Sequence, residues 1–147
     1  MADVLRFTER AVAAVAPRQV WKILHDPARF SEWWSGYASI EDVGAVGGAE
    51  TRFTAYLDQA VYEDMDPRRP MDMAVRTHGD GERVVVSCLV ANIEFDWRLQ
   101  PLNGGRETRI DVAVAVPERR ANRFELMRRI VDDSIPRLVR LAENDDS

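Results

Sequence analysis

Near the end of the chain, over residues 118–143, Phe124, Met127, Val131, Ile135, Leu138 and Leu141 recur at steps of three or four, the spacing that aligns side chains along one stripe of an α-helix. Arg119, Arg120, Arg123, Arg129, Asp133, Arg137 and Arg140 fall mostly on the opposite side. A helix with one broad apolar face is unstable in isolation, so the rest of the chain must supply a surface shaped to receive it. Pro136 sits inside this run. It removes the hydrogen bond to Asp132, so the sequence predicts a bend or break there, and with it a hinge at which a space beneath the helix would open.

The receiving surface reads as strand. Residues 4–16 begin with alternation, Leu5, Phe7 and Glu9 against Arg6, Thr8 and Arg10, and continue as an Ala/Val-rich first strand. Pro17 opens a short helix over 17–25, with Val20, Trp21, Ile23 and Leu24 at helical spacing. Asp26 as N-cap and Pro27 at the first helical position start a second, over 27–34, that ends on Trp33 and Trp34. Turn signals then fall at 44–48, 66–70, 79–81 and 103–105. They separate strand-like runs at 37–43, 49–57, 60–65, 71–77 and 106–116, while 82–100 is either one bent strand or two with a break near Ala91 and Asn92. Short connections favour antiparallel neighbours, and a sheet of this size must twist and curl, leaving a concave face for the long helix. The class is α+β, in one domain spanning residues 1–147, with 144–147 expected as a disordered tail.

Charge and cysteine content narrow the function classes. Against 20 basic residues stand 25 acidic ones, and a net charge of −5 argues against a phosphate-backbone footprint, so no nucleic-acid partner is expected. Every basic residue except Lys22 is an arginine, scattered along the chain as a compositional bias would leave them. Cys88 is alone in an apolar run, which excludes an internal disulfide and a cysteine-based metal site. Charges within residues 1–10 stand where a signal peptide needs an apolar stretch, and no apolar run reaches membrane-spanning length. A cytoplasmic protein, monomeric or homodimeric, without metal or cofactor, is the expectation.

The segment APRQVWKILHDPARFSEWW, from Ala16 to Trp34, resembles the strand end, short helix, Asp-Pro break and Trp-ended second helix of the SRPBCC or START-like superfamily, within it the polyketide cyclase/dehydrase-like branch. Trp97, Leu99 and Pro101, followed by Gly104, Gly105, Thr108 and Ile110, are similar to its late hairpin, and the terminal helix completes a likeness that covers nearly the whole chain. Arg106 and Glu107 between the glycines and Thr108, and Pro136 in the last helix, depart from the commonest pattern. The resemblance implies a helix-grip fold: a curved antiparallel sheet wrapping the long helix, with two short helices after the first strand and a cavity between sheet and helix. It also implies an apolar ligand such as a lipid, sterol or polyketide, with a minority of members being enzymes.

On this frame Phe95 and Trp97 share one strand face with Ile93 and Leu99, pointing toward the helix. Trp33, Trp34, Tyr37, Phe53, Met71, Met73, Phe124, Met127 and Val131 are the other residues expected to meet there, as pocket lining or as plain core filling. Tyr56, Tyr62, Arg52, Arg76 and Arg128 are candidate polar contacts, with Arg128, beside the inward stripe of the helix, as the chosen anchor. His25 and His78 have no metal-ligand partners at useful spacing, and Glu94 and Asp96 share the strand face opposite Trp97, where solvated charge is the expectation. Binding of a small hydrophobic ligand without catalysis is the leading expectation. A polyketide aromatase/cyclase or dehydratase using the same cavity, with a Tyr, His or carboxylate moving protons, is the alternative. A third is a protein-interaction module of the chaperone-activator kind, using the sheet exterior.

Overall fold

The computed structural model describes residues 3–145. The chain runs through β1 (Val4–Ala13), α1 (Pro17–Leu24), a 3-10 turn (Pro27–Arg29) and α2 (Phe30–Trp33). It continues through β2 (Tyr37–Gly47), β3 (Glu50–Leu57), β4 (Met71–His78), β5 (Arg83–Cys88), β6 (Ile93–Leu102) and β7 (Glu107–Pro117). A 3-10 segment, Glu118–Arg123, leads into the long α3 (Phe124–Asn144). The seven strands among the described residues form one antiparallel sheet in the order β1-β7-β6-β5-β4-β3-β2, curved around α3, which packs on β1, α1 and α2. The α+β helix-grip expectation holds.

Local chemistry explains most element ends. Pro17 occupies the first turn of α1, and Asp26 Oδ1 accepts from the Ala28 N–H at 3.1 Å to cap the turn that precedes α2. Of the two alternatives for 82–100 the break is the one observed, as Asn92 takes φ of 55° and its N–H donates to Cys88 O at 2.8 Å. Gly44 and Ala45 stay within β2, paired with Arg52 and Thr51, and the chain reverses only at Gly47 and Gly48, whose φ values of 133° and 55° favour glycine.

Residues 60–65 do not form the expected strand. The Ala60 N–H donates to Asp58 Oδ1 at 2.9 Å, the Tyr62 N–H to Asp58 O at 2.8 Å, and the Arg68 N–H to Asp66 Oδ1 at 2.9 Å. Nearby acceptors thus take the donors that a ladder would need. The terminal helix also starts later than expected, since 118–123 is wound as 3-10 with Arg120 at φ −113° and ψ 25°. It passes through Pro136 unbroken. Two of the residues expected in a disordered tail are held in place. Asn144 closes α3, and Asp145 accepts from Arg29 Nη1 at 3.0 Å and stands 3.4 Å from Lys22 Nζ, while residues 146–147 lie outside the described part of the chain.

Inward side chains alternate with outward ones as the pleat requires. Ile93, Phe95, Trp97 and Leu99 of β6 and Ile110, Val112, Val114 and Val116 of β7 are all buried. Two fully buried aliphatic hydroxyls tie elements together: Thr108 Oγ1 donates to Val15 O at 2.8 Å, and Ser134 Oγ of α3 accepts from the Ser35 N–H at 3.0 Å. The outer face is crossed by ion pairs, with Asp96 between Arg83 and Arg98, Asp111 between Arg10 and Arg109, and Glu50 between Arg52 and Arg76.

Candidate functional site

The register of the inner face builds a floor. Phe53 pairs with Met73, Met73 with Cys88 and Cys88 with Ile93, so one row of side chains runs across β3, β4, β5 and β6. Over the end of this row lies a cavity of about 110 Å³. Met71, Met73, Cys88, Ile93 and Phe95 line it from the sheet, and Trp34 and Tyr37 from the junction of α2 with β2. Leu57, Tyr62 and Met65 close one side, Val90 and Ala91 another, and Met127 of α3 comes down from above. Arg69, Arg120 and Arg123 complete the lining. An engineered cavity of about 150 Å³ accepts benzene in another protein, so this partly open space suits roughly one small ring or a short chain.

Beside the cavity, seven rings interlock. Trp33 stands edge-on to Trp97 with centroids 5.4 Å apart and to Trp34 at 5.8 Å, and Trp34 meets Phe95 at 4.9 Å. Phe30 and Tyr37 both meet Phe53, at 5.6 and 6.3 Å. The gap left among them, about 10 Å³, admits no more than a single water. This cluster is solid core, and the open space begins only past Trp34, Tyr37 and Phe95.

Three polar groups in the lining are buried: Tyr37, Tyr62 and Cys88. Neither phenol has a hydrogen-bond partner among the described residues. Among the described residues the side-chain polar atoms sealed from solvent without a hydrogen bond are Lys22 Nζ and Trp33 Nε1, so the phenol oxygens are not sealed, and both residues line the cavity. Burial pushes both tyrosines above their ordinary pKa, reinforced for Tyr37 by Tyr62 and Cys88 and for Tyr62 by Cys88. They are therefore neutral donors at physiological pH. Such an arrangement can donate hydrogen bonds to a carbonyl or hydroxyl in an otherwise apolar space.

Acid–base groups of other kinds lie elsewhere. His25 Nδ1 stands 2.8 Å from Trp21 O with its ring stacked on that indole, and His78 is exposed at the end of β4. Glu94 and Asp96 face outward from β6. No histidine or carboxylate lines the cavity among the described residues, and none of their His, Cys, Asp and Glu side chains form a group able to hold a metal.

Of the residues expected at a pocket, Trp34, Tyr37, Met71, Met73, Phe95 and Met127 line the cavity. Trp33, Trp97 and Phe53 belong to the ring cluster, and Val131 is fully buried in the core. Two are displaced outright. Phe124 packs edge-on to Phe7 at 5.4 Å, and Arg128, chosen as anchor, is exposed with its guanidinium 5.4 Å over the same ring. Helical spacing brought Arg128 close to the inward stripe, but one residue is a rotation of about 100°, enough to carry it to the β1 side. The expected opening at Pro136 is also corrected. The C-terminal residues lining the cavity are Arg120, Arg123 and Met127, so the cavity lies under the start of α3. Sequence reasoning missed Leu57, Met65, Arg69, Cys88, Val90, Ala91, Arg120 and Arg123. The Asp58 and Asp66 turn chemistry offered a signal for the loop that carries Met65 and Arg69.

A curved antiparallel sheet closed over one long helix, with a lined cavity between them, defines a helix-grip protein of the SRPBCC type. Residues 4–143 match the family described as polyketide cyclase/dehydrase and lipid transport, and the chain belongs to that family. Among solved structures it is similar to the KanY protein, with a TM-score of 0.73 at 18% identity over 97% of this chain and 99% of that one. It is similar also to the Zhui aromatase/cyclase from Streptomyces sp. R1128, with 0.70 at 12% over 96% and 94%. A protein of Thermus thermophilus gives 0.70 at 16% over 97% and 100%. Identities this low carry the fold alone. Comparison with curated proteins finds no significant match. No helix among the described residues is long and apolar enough to cross a membrane.

Proposed function

We propose that this chain binds one small, largely apolar molecule in the cavity between sheet and helix, and that Tyr37 and Tyr62 donate hydrogen bonds to a carbonyl or hydroxyl of that molecule. The observation that carries the reading is a partly open apolar space lined by two buried phenols without partners. A void costs packing energy and an unmet donor costs desolvation, and both losses are recovered when a ligand of matching polarity enters. Binding is favoured over turnover because the lining holds proton donors and a thiol, with no histidine or carboxylate among the described residues to accept a proton. A cytoplasmic setting goes with this reading, since Cys88 is a free buried thiol. Native mass spectrometry of the protein purified from its own host tests it. The expected result is a non-covalent adduct of one small molecule that is weakened in the Tyr37→Phe, Tyr62→Phe variant. A wild-type spectrum holding only the bare chain, together with no binding of small ketones or phenols in titration, would overturn it.

A further inference from the structure

The cavity is apolar inside, yet three arginines stand in its lining: Arg69 from the 58–70 loop, and Arg120 and Arg123 from the 3-10 segment. Their charges are not equally free. Arg123 is held by a bidentate ion pair, Nη1 and Nη2 donating to Asp64 Oδ1 and Oδ2 at 2.9 and 3.0 Å, with its guanidinium 5.8 Å over the Tyr62 ring. Arg69 and Arg120 have no carboxylate partner among the described residues, and both are exposed. The acidic residues of the same two segments, Asp58, Glu63, Asp64, Asp66 and Glu118, are absent from the lining, and Asp66 is occupied by Arg68. A chain of net charge −5 therefore presents a cationic rim in the exposed part of its cavity lining, with two guanidinium groups that have no carboxylate partner among the described residues.

We infer that the ligand is an anionic amphiphile: its short apolar part occupies the cavity and its carboxylate or phosphate is bound at the rim by Arg69 and Arg120. This rests on the cavity reading above and adds the charge of the ligand to it. Guanidinium groups bind planar or tetrahedral oxyanions through paired N–H donors. The size of the space matches the arrangement, because a cavity smaller than one that takes benzene cannot enclose a long acyl chain or a fused ring system. The remainder of any such molecule must lie outside the cavity, where Arg69 and Arg120 are the exposed cations of the lining.

Isothermal titration with four six-carbon probes tests the inference: hexanoate, hexyl phosphate, and their neutral counterparts hexanamide and hexanol. Hexanoate is expected to bind about five- to tenfold more tightly than hexanamide in low salt. That preference should disappear in Arg69→Gln, Arg120→Gln and persist in Arg128→Gln, whose guanidinium is also exposed but lies over Phe7. Whichever of hexanoate and hexyl phosphate gains more over its neutral counterpart assigns the head group as a free carboxylate or a phosphate ester. Equal affinity for anionic and neutral probes, or a preference undiminished in the double variant, overturns the anionic ligand and leaves the cavity reading standing. Failure of all four probes to bind overturns the anionic amphiphile, and the cavity reading falls with it only if small ketones and phenols also fail to bind.

Discussion

Tyr37 and Tyr62 are buried residues whose hydroxyls have no hydrogen-bond partner among the described residues. Replacing a buried polar group that has no partner by an isosteric apolar one is close to neutral or stabilising. The Tyr37→Phe, Tyr62→Phe variant is therefore expected to match or exceed wild-type stability in urea at pH 7, and a loss beyond about 1 kcal/mol would show that the hydroxyls are structural. Alkaline pH separates the two proteins further. Burial raises both folded-state values, so above the unfolded value of about 10 the unfolded chain releases protons that the folded chain retains. Stability contributed by the phenols is thus complete below that pH and lost as it rises, and the double variant should show a shallower decline. These tyrosines also mark how far residue-level reading reached. Tyr37 follows directly from its place after the two tryptophans, whereas Tyr62 was one of several candidate polar contacts. Its inward orientation depends on the turns set by Asp58 and Asp66, not on any periodicity.

The elements around the cavity differ in how legible they were. The first strand, the two short helices and the alternation of β6 and β7 follow from proline placement, an aspartate cap and period-two burial, each a local rule. The rim follows from none of these. Residues 118–123 continue the arginine-rich pattern of the helix, but 3-10 winding and the departure of Arg120 from helical geometry turn Arg120 and Arg123 toward the cavity. Arg123 then ties this segment to the 58–70 loop through Asp64, whose carboxyl is held below its usual range chiefly by the Arg123 hydrogen bonds. Breaking the tie with Asp64→Asn should speed hydrogen exchange at Val61, Tyr62 and Met65, whose N–H groups are bonded only within that loop. Exchange in β6 and β7 should stay unchanged, and an equal loss of protection across the sheet would show the tie to be global. Pro136 is a separate matter. It is exposed on a helix that continues past it, with Ile135 and Leu138 buried on either side. Proline in a helix interior is about 3 kcal/mol less favourable than alanine. Pro136→Ala is thus expected to raise the urea midpoint by an amount worth about 1–3 kcal/mol. No gain would mean that the helix is already adapted to proline at this position.

At the scale of the whole molecule, one end is filled by interlocking rings and the other is left partly empty, although the same sheet face supplies both. Protein interiors ordinarily pack to crystal density. At roughly 24 cal/mol per Å³, a space of about 110 Å³ forgoes some 2–3 kcal/mol that a larger side chain would recover. Cys88 is the natural place to recover it. It is buried at the end of β5, it lines the cavity, and its register neighbours Met73 and Ile93 line it as well. Cys88→Leu extends apolar volume into the void while leaving the rim arginines and the ring cluster unsubstituted. If the space is kept open for a ligand, this variant gains stability and loses affinity together. The expected gain is about 0.5–2 kcal/mol, or a rise of a few degrees in Tm for a chain of this length, with hexanoate binding weakened at least tenfold. A lower Tm would show that the cavity walls are too rigid to accept the added methyl groups. Unchanged binding beside a raised Tm would move the ligand out of the cavity altogether.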